Sequence, residues 1–258
     1  MGNKLYGKTA IVTGVLRLQG IGAAICKELA KQGADIFFTY WSDYHQGTNI
    51  EAKKEEPHTL KNHIGQFGVR CDHMELDLSD PQAASALLST VKERLGNPHI
   101  LINNACYSRD DSFEDITAES LDAHYFINLR ATTLLSSRFA KQFQEQIGGR
   151  IINLTSGQSL GPMTGEISYA ITKGAIETLT YTLSAAVAHK GITVNAVNPG
   201  PTDSGWINDQ LKKELLPRFP FGRIGQPEDT ARLIAFLASD EAEWITGQII
   251  HSEGGFRR

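Results

Sequence analysis

Cysteine is scarce: Cys26, Cys71 and Cys106 are the only three among 258 residues, an odd count at wide spacing. That pattern excludes a disulfide framework and offers no thiol pairs for a zinc site, so buried apolar thiols are expected. A basic excess is missing too. Twenty-five Lys and Arg stand against 29 Asp and Glu, a formal net charge of −4, and the basic residues are scattered. The electrostatic footprint of a nucleic-acid binder is therefore absent. No apolar run approaches the roughly 20 residues a membrane helix needs. The run from Met1 to Lys8 leads into an apolar strand pattern without the regions of a signal peptide, so a cytoplasmic location is expected. The eight histidines, His58 and His63 included, show no metal-ligand spacing with Cys or acidic partners, and no metal is expected.

What is present is a globular composition: 41% of the residues are hydrophobic and 21% charged, enough apolar side chain for the chain to fold alone. Short β-rich runs alternate with longer helical patterns. Strands are expected at Thr9–Thr13, Asp35–Tyr40, Val69–Leu76, Ile100–Asn103, Arg150–Thr155, Thr193–Asn198 and Gln248–His251. Helices are expected at about Ile21–Gln32, Pro81–Leu95, Ala118–Gln146, Ser168–His189 and Pro227–Ala238, the last opening with Pro and acidic residues. This alternation predicts an α/β chain, a doubly wound sheet of about seven parallel strands with helices on both faces, as one domain over residues 1–258. Residues 43–68, polar and lysine-rich, are expected to form one helix with a long solvent-facing loop. The segment after Pro199, with Gly200, Pro201, Gly205, Pro217 and Pro220, is too rich in breakers for regular structure. It reads as a mobile loop of about residues 200–220 over a site.

The first strand runs into Thr13-Gly14-Val15-Leu16-Arg17-Leu18-Gln19-Gly20-Ile21-Gly22 and then a helix. Glycines let backbone amides approach a pyrophosphate, and the following helix offers unpaired N–H groups and a positive dipole end. Gly14, Gly20 and Gly22 are the expected cradle, although such turns also occur merely to close a βαβ unit.

Farther on, Ser168-Tyr169-Ala170-Ile171-Thr172-Lys173 opens a long helical stretch. Residues four apart share a helix face about 6 Å apart along the axis. A phenol, with a pKa of about 10, becomes a useful acid or base near neutrality if its anion is stabilised. A lysine cation at about 4 Å would attract it by roughly 4 kcal/mol at an effective dielectric near 20. By itself the pair is more often a packed Tyr beside a solvated Lys. Ser156, thirteen residues before Tyr169, and Asn128, twenty-eight before Ser156, make the pattern specific together with the glycine turn.

With Asn103-Asn104-Ala105, Asp77-Leu78 and Asn198-Pro199-Gly200 after three further strands, the chain resembles the short-chain dehydrogenase/reductase family over nearly its whole length. The runs Phe221 to Asp229, Phe236 to Asp240 and Ile245 to Gln248 resemble the 3-oxoacyl-acyl-carrier-protein reductase branch in particular. The resemblance implies a Rossmann-type fold and a role at each matching position. Tyr169 is the proton donor or acceptor, Lys173 its electrostatic partner and a ribose ligand, Ser156 a hydrogen bond to the substrate carbonyl and Asn128 a water relay. Gly14, Arg17, Gly20, Ile21, Gly22, Tyr40, Asp77, Leu78, Asn104, Ala105, Pro199, Gly200 and Thr202 are the implied cofactor contacts beside Tyr169 and Lys173. Two departures stand out. The glycine turn is two residues longer than the family's Thr-Gly-x-x-x-Gly-x-Gly, and Cys106 replaces the usual Gly after Asn-Asn-Ala. The second strand ends in Thr39-Tyr40-Trp41-Ser42 rather than in an acidic residue, with Asp43 following later. No carboxylate there repels a 2′-phosphate and Arg17 can pair with one, which favours NADP(H) and leaves NAD(H) open.

The function expected is hydride transfer between a nicotinamide and a carbonyl or secondary alcohol, chiefly NADPH-dependent reduction of a 3-oxoacyl thioester or small ketone. An NAD-dependent sugar or steroid alcohol dehydrogenase is the alternative within that class, and a non-catalytic dinucleotide-binding protein the alternative outside it. Lys212, Lys213 and Arg218 are a thin candidate patch for an acyl-carrier-linked substrate. The resemblance also implies a homo-oligomer, a tetramer through the long helices and last strand.

Overall fold

The computed structural model describes residues 3–45, 55–144 and 148–258. Seven strands form a single sheet: β1 (Thr9–Val12), β2 (Asp35–Tyr40), β3 (Cys71–Glu75), β4 (Ile100–Asn103), β5 (Gly149–Leu154), β6 (Ile192–Asn198) and β7 (Ile249–His251). Their order is β3-β2-β1-β4-β5-β6-β7 and every pairing is parallel. This is the α/β Rossmann-like architecture that the alternation of runs predicts. The central strands carry apolar side chains on both faces. Ala10, Val12, Ile36, Phe38, Ile100 and Ile102 enter one core, and Ile11, Phe37 and Leu101, at the alternate positions, enter the other.

The first core is closed by α1 (Ile21–Lys31), α2 (Glu56–Gly65) and α8 (Pro227–Ala238), through Ile25, Leu29, Leu60, Ile64 and Ile234. The second is closed by α3 (Ala83–Arg94), α5 (Thr132–Gln142) and α6 (Ile167–Val187), through Leu87, Val91, Leu135, Phe139 and Val187. The strand order reverses between β1 and β4, where one connection goes to each face, so the carboxyl ends of these strands open a crevice.

Three segments differ from expectation. The helix expected over Ala118–Gln146 is α4 (Ala118–His124), a π-helical stretch (Tyr125–Ala131) and α5, ending at Gln142; residues 145–147 lie outside the described residues. A π turn inserts one residue into the helical repeat and commonly marks a functional position. Here it holds Asn128, a signal that hydrophobic periodicity does not carry. Residues 200–220 are not free of regular structure. Helix α7 (Asp209–Leu215) forms there because Asn208 caps it, accepting from Leu211 N at 2.9 Å, and because Leu215 packs with Phe219 and Ile224. Within 43–68 the expected helix is α2, and much of the expected loop, residues 46–54, lies outside the described residues.

Asp72 on β3 ties two helices to the sheet edge, taking Lys61 of α2 at 2.8 Å and Arg94 of α3 at 3.0 Å. Partial burial works against its charge, but those cations and the His73 N–H prevail and bring the carboxyl from 3.8 to about 2. A depressed carboxyl stabilises the fold above its unfolded-state pKa, and the contribution disappears as pH falls through the folded-state value. Stability measured by denaturant titration is therefore expected to drop between about pH 4 and pH 2, and Asp72→Asn to flatten that part of the profile while lowering stability at neutral pH.

Candidate active site

The crevice begins with the Thr13–Gly22 turn. Gly14 has a φ of +71°, and a Cβ there would lie 2.4 Å from Ala105 Cα. A Cβ on Gly22 would lie 2.7 Å from Asn104 Nδ2. Glycine at both positions brings the ends of β1 and β4 together, and polar groups lock them. Thr13 Oγ1 accepts from Asn104 N (3.1 Å) and Ala105 N (3.0 Å), while Asn104 Nδ2 donates to the carbonyls of Thr13 (2.8 Å) and Gly14 (3.0 Å). Gly20 precedes α1 without any side-chain cap, so the first N–H groups of an eleven-residue helix face the crevice.

In front of that helix lies a cleft of about 600 Å³. Gly14, Arg17, Gly20, Ile21, Gly22, Tyr40, Asp77, Leu78, Asn104 and Ala105 all line it, so ten of the expected cofactor contacts stand together. Asn128, Ser156, Tyr169 and Lys173 do not line it, nor do Pro199, Gly200 and Thr202, although Ser204 from the segment of these last three does. Their groups turn inward instead: Gly200 N donates to Asn198 Oδ1 (2.9 Å), and Thr202 Oγ1 donates to the carbonyls of Pro199 and Gly200, each at 3.2 Å. Arg17 reaches across and donates to Ser204 O at 2.7 Å. The Asp77 carboxylate accepts from Ser79 N and Ser79 Oγ, both at 2.8 Å. Trp41, Asp43, Tyr107, Arg109 and Phe126 also line the cleft. The sequence pattern did not point to Tyr107, Arg109 or Phe126, since no motif spacing marks them and chain folding alone brings them there.

The second half of the site sits on β5, α6 and the π turn. Tyr169 is half-buried in the first turn of α6 with the Ser156 side chain near its phenol, while the Ser156 hydroxyl reaches Met163 Sδ at 4.0 Å. Lys173, one turn later and buried, places Nζ 5.5 Å from the Tyr169 ring centre and donates to Leu154 O at 2.8 Å. Asn128 is buried with its amide engaged. It accepts from Tyr107 N (2.7 Å) and donates to Tyr107 O (2.9 Å) and Thr172 Oγ1 (3.0 Å). Thr172 in turn donates to Tyr169 O at 2.8 Å. The side chain of Asn128 therefore holds the β4–α4 connection against α6.

Two expectations change here. Lysine stabilisation of a phenolate is not the dominant influence on Tyr169. Burial pushes the phenol well above its ordinary value of 10.0, the Cys106 thiol and Glu166 add to the rise, and the nearby Ser156 hydroxyl opposes it. The hydroxyl therefore stays protonated, the form a proton donor needs. Of the three thiols only Cys26 is fully buried. Cys71 and Cys106 are half-buried, and Cys106 both lines the cleft and meets the Tyr169 hydroxyl. All three are free, and no group of three or more His, Cys, Asp or Glu among the described residues could hold a metal ion.

Comparison with known proteins agrees with this geometry. A family model described as enoyl-(acyl carrier protein) reductase matches residues 14–257. An uncharacterized oxidoreductase of Bacillus subtilis, YjdA, is 53% identical over 97% of each chain. The 3-oxoacyl-[acyl-carrier-protein] reductase FabG of Staphylococcus aureus is 33% identical over 96% of this chain and 97% of its own. A short-chain dehydrogenase of Burkholderia cenocepacia, solved in complex with NADP, superposes with a TM-score of 0.87 at 32% identity over 98% of both chains. The chain belongs to the short-chain dehydrogenase/reductase family of oxidoreductases, near the FabG branch.

The Gly14–Ala105 contact makes a direct prediction. Gly14→Ala forces a side chain into left-handed backbone and into Ala105, and is expected to weaken nicotinamide dinucleotide binding, read by fluorescence titration, by more than about tenfold. Unchanged affinity would show that the turn does not shape the dinucleotide site.

Proposed function

We propose that the chain is a carbonyl reductase that uses NADP(H) to reduce a 3-oxoacyl thioester or a small ketone. The observation that carries this reading is that Tyr169, one turn from Lys173 and with Ser156 beside it, lies against Cys106, which lines a cleft headed by an uncapped helix. The cleft suits a dinucleotide: the α1 N–H groups would meet the pyrophosphate, Asp77 and Leu78 the adenine side, Asn104 and Ala105 the ribose. Pro199, Gly200 and Thr202 would approach the nicotinamide end from the β6 side. The cofactor, when bound, supplies hydride for a carbonyl carbon. Tyr169 then delivers its proton to the carbonyl oxygen, Ser156 hydrogen-bonds that oxygen, and the charge of Lys173 favours the phenolate left behind. Asn128 holds the walls of the site and, through its backbone in the π turn, would serve the water relay.

The substrate class rests on the likeness to the Staphylococcus aureus reductase, and the cofactor preference on Arg17 and on the absence of an acidic residue at Tyr40. One observation favours a second reading. Asp43 lines the cleft, and a carboxylate there suits the ribose hydroxyls of NAD, which would make the chain an NAD-dependent alcohol dehydrogenase. No described helix is long and apolar enough to cross a membrane. We read the protein as one domain over residues 1–258 that works in the cytoplasm on a small molecule. Leu121 and Tyr125 on α4 and the π turn, with Ile171 and Tyr181 on α6, are exposed apolar side chains that a homotetramer would cover.

Nicotinamide absorbance with 3-oxoacyl thioesters, diketones and quinones tests the reading. Tyr169→Phe is expected to cut turnover by about 10²- to 10⁴-fold while dinucleotide affinity holds. Tight dinucleotide binding with no turnover in either direction would make the chain a non-catalytic binding protein. Arg17→Ala is expected to weaken NADPH by about tenfold and NADH little, as loss of a charged hydrogen bond to phosphate would. If NADH binds more tightly than NADPH and Asp43→Asn abolishes the difference, the NAD reading replaces this one.

A further inference from the structure

Asp111 lies just past the β4–α4 stretch that lines the cleft, and no sequence motif marks it. It is 5% exposed, and all its polar groups are used. Its N–H donates to Gly165 O (3.0 Å) and its carbonyl accepts from Ile167 N (3.3 Å), a parallel bridge to the residues that lead into α6. Its carboxylate divides between two helices: Oδ1 accepts from Ser168 N at 2.9 Å, and Oδ2 accepts from Ser120 Oγ at 2.7 Å. Helix α6 has no side-chain cap of its own, because Glu166 at the cap position makes none. A carboxylate from a different segment therefore does the work of an N-cap for the helix that carries Tyr169.

We infer that Asp111 is a positioning residue for proton delivery, fixing Tyr169 by capping α6 from outside and tying its first turn to α4 and to the β4–α4 connection. This deepens the reductase reading above and rests on it. Ser168 adjoins Tyr169, so a shift of the cap moves the phenol directly. The same connection is held at Tyr107 by Asn128, and Asn128 reaches Tyr169 through Thr172. Asp111 and Asn128 thus tie one strip of chain to the first turns of α6 at two points, at Ser168 and Thr172 on either side of Tyr169 in sequence. Burial works against the Asp111 charge, but hydrogen bonds from Ser168 and Ser120 and the proximity of His124 outweigh it and hold the carboxyl below its ordinary value. Asp110 and Glu166 are the like charges beside it, and burial together with these two aspartates pushes the Glu166 carboxyl upward.

The test uses Asp111→Ala and Asp111→Asn in the whole chain. Asparagine keeps an acceptor for Ser168 N and a donor for Ser120 Oγ and loses only the charge. For Asp111→Ala, amide hydrogen exchange at residues 168–171 is expected to rise more than about tenfold while β5 stays protected. Turnover is expected to fall by about 10- to 100-fold, as misplacement of a reacting group by about 1 Å does, with the NADPH dissociation constant unchanged. Asp111→Asn should recover most of both losses, retaining a residual drop of about threefold in turnover. Unchanged exchange at 168–171, or a dissociation constant that worsens in step with turnover, overturns the inference. If Asp111→Ala does not fold, Asp111→Asn decides, and its identity with the wild type in exchange and turnover is the overturning result. Exchange is read without substrate, so failure of the reductase reading, seen as no turnover by the wild type, stays separate from failure of this one.

Discussion

The contact on which the site depends is the approach of Gly14 to Ala105, closed by Thr13 and Asn104. Parallel strands β1 and β4 are neighbours whose connections leave toward opposite faces, so their carboxyl ends would splay unless something held them. A hydroxyl accepting two backbone amides and a side-chain amide donating to two carbonyls do that. The buried Thr13 hydroxyl also donates to Ile102 O at 3.5 Å, so it is fully engaged, as its burial requires. Because the lock spends the side chains of Thr13 and Asn104 on protein, the anion binding proposed for this crevice would fall to the backbone of the turn and to the first N–H groups of α1.

The proposed chemistry would rest on a second interlock. Helix α6 would be a long apolar rod with an unsatisfied start; Asp111 satisfies it, and Lys173 and Thr155 stitch it to the end of β5 through Leu154 O and Lys173 O. Glu177 extends the stitch by accepting from Gln158 Nε2 at 2.6 Å and Ser159 Oγ at 3.1 Å, in the segment that follows Ser156. Ser156, just past β5, and Tyr169 on α6 thus sit on segments tied to one another, as the proposed proton transfer would require. The π turn adds a third wall, since Asn128 within it bonds both Tyr107 and Thr172.

The segment after β6 shows how local chemistry and tertiary contact divide the labour. Its prolines and glycines read as irregular chain, yet α7 forms within it. The cap at Asn208 is a local signal, but seven residues make a marginal helix in water, and what holds this one is a small cluster of Leu215, Phe219 and Ile224 with Phe256 packed against it. Phe256 is distant in sequence, so a local reading does not see it. Arg17 bonding Ser204 belongs to the same class of fact. So do the half-buried Cys71 and Cys106, because burial is decided by which elements pack over a residue and not by its own type.

Strand and helix order, the parallel sheet, the glycine turn and the Tyr169–Lys173 spacing were legible in the sequence because each is local: side-chain alternation, helical period and the needs of left-handed backbone act over a few residues. The family resemblance added the partners Asn128 and Ser156. What tertiary structure alone decided is how these pieces work on one another. Burial, and not the lysine, governs the Tyr169 phenol; Asn128 spends its amide on Tyr107 and Thr172; Asp111 caps a helix more than fifty residues away in sequence. Desolvation and hydrogen-bond partnership depend on atoms brought together by the packed sheet, and no spacing along the chain encodes them.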